Sequence, residues 1–142
     1  MKQLPRTNCA LVVRTDFDHQ QAWDRIRQLI VAPVPAYGDI FYANVEFLEE
    51  PEFRDLSPDD LLARVPPHYN HSFLIVVDHI ATTHPDLAVL LIDLNTERGR
   101  QFRALPTEIQ GIENNLSISN MDFFEFADNV DADGIFRGFP RS

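Results

Sequence analysis

Two uninterrupted apolar runs, Ser72–Asp78 (SFLIVVD) and Leu87–Leu94 (LAVLLIDL), constrain this chain more than any other feature. Continuous hydrophobes of strand length read as central strands covered on both faces. The two are joined by the eight residues 79–86. A parallel crossover needs a dozen or more, so the pair is expected to run antiparallel. Asp78 and Asp93 then fall at opposite edges of one sheet. Asn95–Arg100 reads as a hairpin turn into a shorter strand, Gln101–Leu105.

Around this centre the pattern alternates between strands and helices. Ala10–Arg14 is apolar and β-branched enough for a strand. Asp18 with Gln21 fits a capping box, and Ala22, Trp23, Ile26, Leu29 and Ile30 fall at helical intervals until Pro33 and Pro35. Phe41, Ala43, Val45 and Phe47 alternate with polar neighbours, which predicts a half-buried strand. Ser57-Pro58-Asp59-Asp60 is a strong helix start, with Ser as N-cap, Pro at the first helical position and acids in the first turn. A helix after Pro106-Thr107 is weakened by Gly111 and by Asn114-Asn115. The stripe Phe123, Phe126, Ala127, Val130 predicts a last helix capped by Ser119 or Asn120. Ile135, Phe136 and Phe139 read as a tail docked on the core. The expectation is an α/β chain leaning towards α+β. It is one domain over residues 1–142, a mixed sheet of about five strands in the order β-α-β-α-β-β-β-α-α.

Composition narrows the functional classes. With 44% apolar residues and eleven Phe the chain can offset its ordering entropy, which excludes disorder. The net charge is −10, and it is segregated. Residues 104–136 carry seven acids and no Lys or Arg, and a second acidic stretch covers residues 46–60. Such a field repels nucleic-acid phosphates and anionic membranes, so no nucleic acid and no membrane is expected as a partner, whereas a basic protein would be attracted. The plainer reading is that the charge serves solubility. The single cysteine, Cys9, cannot form an internal disulfide, and no segment has a signal or membrane-spanning pattern, so a cytoplasmic protein is expected.

No motif assigns chemistry. Four histidines, His68, His71, His79 and His84, are clustered in sequence. Pro66-Pro67 argues against a helix through the first two, and His71 and His79 bracket one strand, more than about 20 Å apart at roughly 3.3 Å per residue. A metal site using both is excluded, and no metal or cofactor is expected. Asp16 and Asp78 would share a sheet edge only if their strands run parallel. Lys2 is the sole lysine, which argues against a phosphotransfer centre. The five glycines match neither a phosphate loop nor a dinucleotide fingerprint, and no nucleophile elbow is present. No catalytic residue is assigned.

The most concentrated polar segment is Glu113–Asp122 (ENNLSISNMD). One reading is a buried turn in which asparagines hold backbone groups. The other is a binding surface or small-molecule pocket using Arg14, His71, Glu113, Asn114, Asn115, Asn120 and Asp122. The leading functional expectation is a non-enzymatic, inhibitor- or immunity-like interaction module for a basic partner. The alternative is a small-molecule binder or enzyme around Arg14, His71, Glu113, Asn114 and Asn120, and the oligomeric state stays open.

The blocks Leu11–Phe17 (LVVRTDF), Tyr69–Leu74 (YNHSFL), Glu113–Asp128 (ENNLSISNMDFFEFAD) and Gly134–Phe139 (GIFRGF) resemble a family of small bacterial domains of unknown function. The resemblance implies a free-standing bacterial protein and carries no activity, cofactor or catalytic residue.

Overall fold

The apolar runs form the middle of a six-stranded sheet, in a computed structural model that describes residues 1–140. The strands are β1 (Ala10–Arg14), β4 (Val45–Leu48), β5 (Phe73–Val77), β6 (Val89–Asp93), β7 (Gln101–Ala104) and β8 (Ile135–Phe136), in spatial order β4-β1-β5-β6-β7-β8. β1 is parallel to both β4 and β5, β6 is antiparallel to β5 and β7, and β8 is parallel to β7. Only β6 therefore runs against the rest. The expected antiparallel pair is present, with Phe73 opposite Asp93, and the docked tail supplies β8 as an additional edge strand.

Alternation along each strand builds two cores. On one face Val12, Ile75, Val77, Val89 and Leu91 meet helix α1 (Gln20–Val31), α4 (Ile109–Ser117) and α5 (Phe123–Ala127). On the other, Leu11, Val13, Leu74, Val76 and Ile92 meet Leu4, Phe53 and Leu61, the last from α2 (Pro58–Ala63). The central strands are apolar throughout because both faces are covered. α2 begins as its sequence predicts: Ser57 accepts from the Asp60 N–H while the Asp60 carboxylate accepts from the Ser57 N–H. The eight-residue link between β5 and β6 holds a short helix, α3 (His79–Thr83), capped by Asp78.

Three local expectations are corrected. The strand expected over Phe41–Phe47 is broken. β2 (Val34–Ala36) and β3 (Asp39–Phe41) form a separate hairpin, and β4 starts only at Val45. The break lies where the Asn44 N–H donates to Glu113 Oε1 at 2.6 Å instead of to a strand. Asp18 does not cap α1: its own N–H is taken by Asp16 Oδ1, and His19 stands at the cap position without a side-chain bond to the helix. Nor does Ser119 or Asn120 cap α5, which starts after Asp122, with the Glu125 carboxylate accepting the Asp122 N–H.

The tail packs Phe136 and Phe139 on Phe126, and Gly138 sits against Glu108. Burial pushes the Glu108 carboxyl above its ordinary value. The folded state therefore binds this proton more tightly than the unfolded chain. Its contribution is fullest below the unfolded pKa and is lost as pH rises through the folded one. Glu108→Gln is expected to raise the denaturant midpoint at pH 7 and to match the parent below about pH 4, where the parent carboxyl is protonated; chemical denaturation at both pH values checks it.

No helix among the described residues is long and apolar enough to cross a membrane.

Candidate functional site

The parallel trio β4-β1-β5 has a topological consequence. The connection from β1 to β4 runs through α1 on one face, and the connection from β4 to β5 runs through α2 on the other. Polar groups collect at both edges of β1 and β5.

At the amino-terminal edge lies a cleft of about 630 Å³, bounded by the residues entering β1 and β5, by Asn44, and by the carboxyl half of α4. This volume is within the range of small-ligand pockets. His71, Glu113 and Asn114 line it, together with Cys9, Asn44 and Asn70, and none of the described lining residues is Lys or Arg. α4 runs to Ser117 in spite of Gly111 and the two asparagines, because Ile109, Ile112 and Leu116 are buried on the sheet. That register turns Glu113 inward, where it is 2% exposed. Its Oε1 accepts from the Asn44 N–H at 2.6 Å and from Asn114 Nδ2 at 2.8 Å. No hydrogen bond to Oε2 is formed by a described residue. His71 Nε2 lies 2.8 Å from the Thr7 carbonyl, to which it donates.

The other sequence-derived candidates divide. Asn115 donates to the Gly111 carbonyl and accepts from Asn120, while its own carbonyl receives the N–H groups of Asn120 and Met121. Asn115 and Asn120 therefore hold the turn that ends α4, and Asp122 starts α5. Asn114 lines the cleft, yet its amide also ties α4 to the Tyr42 carbonyl and accepts from Gln110. Arg14 is at the opposite edge of the sheet. It is buried beneath Phe17 and Trp23, bonded to the Asp16 carbonyl, Gln20 and Glu49, and takes no part in the cleft. Cys9, Asn44 and Asn70 carried no local sequence signal, since only the fold brings their three segments together.

At that opposite, carboxyl-terminal edge, Asp16 and Asp78 do share a side, because β1 and β5 are parallel. Asp78 is committed: it caps α3 and pairs with Arg103 at 2.7 Å. Asp16 is 2% exposed, and its carboxylate accepts from the Thr82 hydroxyl, from the Asp18 N–H at 3.1 Å and from His19 Nδ1 at 2.7 Å. Burial opposes its ionisation, but the hydrogen bonds from Thr82, Asp18 and His19 outweigh it and hold its pKa below the ordinary value. The exposed His79 faces His19 with ring centroids 5.4 Å apart. One ligand-type atom from each of Asp16, His19 and His79 lies within 4.8 Å of the other two. Comparing histidines with one another in the sequence missed this trio, because its third member, His19, follows a different strand.

The acidic stretches are engaged in part. Glu50 and Glu52 pair with Lys2, Glu49 with Arg14, Asp128 with Arg100, and Asp131 and Asp133 with Arg137.

A search of curated proteins found no match to this chain. A family model does match, over residues 9–139, and the chain belongs to the family described as a domain of unknown function (DUF6924).

Proposed function

We propose that the protein binds a small polar molecule, neutral or cationic, in the cleft between the amino ends of β1 and β5 and the carboxyl half of α4. The observation that carries this reading is Glu113, a nearly buried carboxylate lining a cleft with no Lys or Arg. Oε1 is spent on Asn44 and Asn114, so Oε2 is the acceptor left for a ligand N–H. An anion would meet uncompensated negative charge there, whereas an amine or amide would gain a charge-assisted hydrogen bond. Asn70, His71 and Ser72 supply further polar contacts on the facing wall. A bacterial, cytoplasmic protein is part of the proposal, supported by the resemblance and by the single cysteine, Cys9.

Thermal-shift and calorimetric titration with matched panels of small amines, amides and carboxylates tests it. Amines or amides are expected to raise the melting temperature, because a ligand of the native state alone stabilises it. Glu113→Gln keeps an acceptor for Asn44 and is expected to weaken binding by about tenfold or more, the loss of one charge-assisted hydrogen bond. Preference for carboxylates, or unchanged affinity in Glu113→Gln, would refute the reading.

The second reading, an interaction module for a basic partner, is supported by the net charge of −10. It ranks lower because six of the fourteen acids in the two stretches pair with cations of the chain itself, which weakens the field they present.

A further inference from the structure

We infer that Asp16, His19 and His79 form a binding site for a divalent first-row transition-metal ion, at the edge of the sheet opposite the cleft and independent of it. Two imidazoles and one carboxylate suit zinc, iron, cobalt or nickel. Calcium and magnesium prefer all-oxygen shells. The donor atoms are already gathered within 4.8 Å of one another, and the half-buried His19 and exposed His79 have room to rotate towards a shared ion.

The buried ligand is prepared in the manner of a metal-site carboxylate. Asp16 follows β1, and its backbone N–H, like that of Thr15, is directed at the Val77 carbonyl at the end of β5. Its side chain is oriented by the Thr82 hydroxyl from α3 and by the Asp18 N–H. Such outer partners fix the orientation of a ligand and raise its affinity for the ion. The neighbouring cations do not compete for Asp16: Arg103 is paired with Asp78, Arg54 with Asp18, and Arg14 with Glu49. The site lies beyond the carboxyl ends of two adjacent parallel strands, β1 and β5, the edge at which open α/β sheets place their ligands. Three protein ligands leave exchangeable positions on the ion, as in catalytic rather than structural centres.

Titration of the full chain with Co²⁺, followed by its visible d–d absorption, and with Zn²⁺ by competition against a chromophoric chelator, tests the inference. One equivalent is expected to bind. His79→Ala, an exposed position whose loss leaves the fold intact, is expected to weaken both ions by at least about 100-fold, more than the roughly 10–100-fold typical of an outer-shell change. His19→Ala is expected to do the same. His68→Ala removes an exposed histidine outside the trio and should leave both titrations unchanged. Absence of stoichiometric binding, or binding equally strong in His79→Ala, or binding lost in His68→Ala, would overturn the site. Glu113→Gln should not alter the metal titration, so the metal site and the cleft stand or fall separately.

Discussion

Trp23→Ala is expected to cost about 3–5 kcal/mol, the range for truncating a large buried aromatic. Trp23 is fully buried at the centre of α1's apolar stripe, edge-on to Phe47 at 5.9 Å and beneath the guanidinium of Arg14 at 5.1 Å. It joins the helix to β1 and to the edge strand β4, and its loss also strips Arg14 of one of its two aromatic neighbours. Against a total stability of about 5–15 kcal/mol this is a large fraction. The melting temperature should fall by roughly 10–20 °C for a chain of this size. Trp23→Phe should cost less than half as much. It keeps an aromatic face under Arg14, and it removes an indole N–H that has no hydrogen-bond partner. Equilibrium unfolding of the two variants gives the comparison; equal costs would mean that the full volume of the indole, and not an aromatic face under Arg14, is what matters.

That helix was legible in the sequence because its stripe depends on local spacing alone. The same holds for the Ser57–Asp60 cap and for the antiparallel pairing of β5 with β6, which follows from the length of one loop. Expectations failed where a distant group decides the local structure. Alternation from Phe41 to Phe47 is the same whether the strand continues or breaks. It breaks because a carboxylate 69 residues away takes the Asn44 N–H. Asp18 has the right spacing for a cap, but Asp16 takes its N–H first. Gly111 and the paired asparagines argued against α4 on propensity, and burial of Ile109, Ile112 and Leu116 outweighed them.

The candidate sites divide along the same line. His71, Glu113 and Asn114 stood out as polar residues in dense blocks, and the fold brings them to one cleft. Arg14 stood out equally, yet the strand carries it to the far edge. Asp16 was weighed only with Asp78, and His19, three residues on, was not singled out. His79 joins them only because β5 lies beside β1 and parallel to it, a pairing that nothing within either segment reveals.

Asp16 is where fold and proposed chemistry meet, and two substitutions should separate them. Asp16→Ala is expected to cost about 3–5 kcal/mol, the range for breaking a buried charged network. It leaves the Asp18 N–H without its acceptor and the Thr82 hydroxyl with only the His79 carbonyl at 3.2 Å, while the half-exposed His19 can turn to water. Asp16→Asn should cost only about 1–2 kcal/mol, near one hydrogen bond. Its amide oxygen can still receive the Asp18 N–H. Its NH₂ can donate to the Thr82 hydroxyl, which rotates to accept, and to His19 in the other tautomer. The asparagine variant thus preserves the corner between β1 and α1 but removes the only negative ligand of the trio. Unfolding curves should place it near the parent, with the alanine variant far below, while Co²⁺ absorption should be lost in both. If Asp16→Asn unfolds as readily as Asp16→Ala, the ionised form itself holds the corner; if it folds and still binds Co²⁺ as the parent does, Asp16 is a structural carboxylate and the two histidines stand without it.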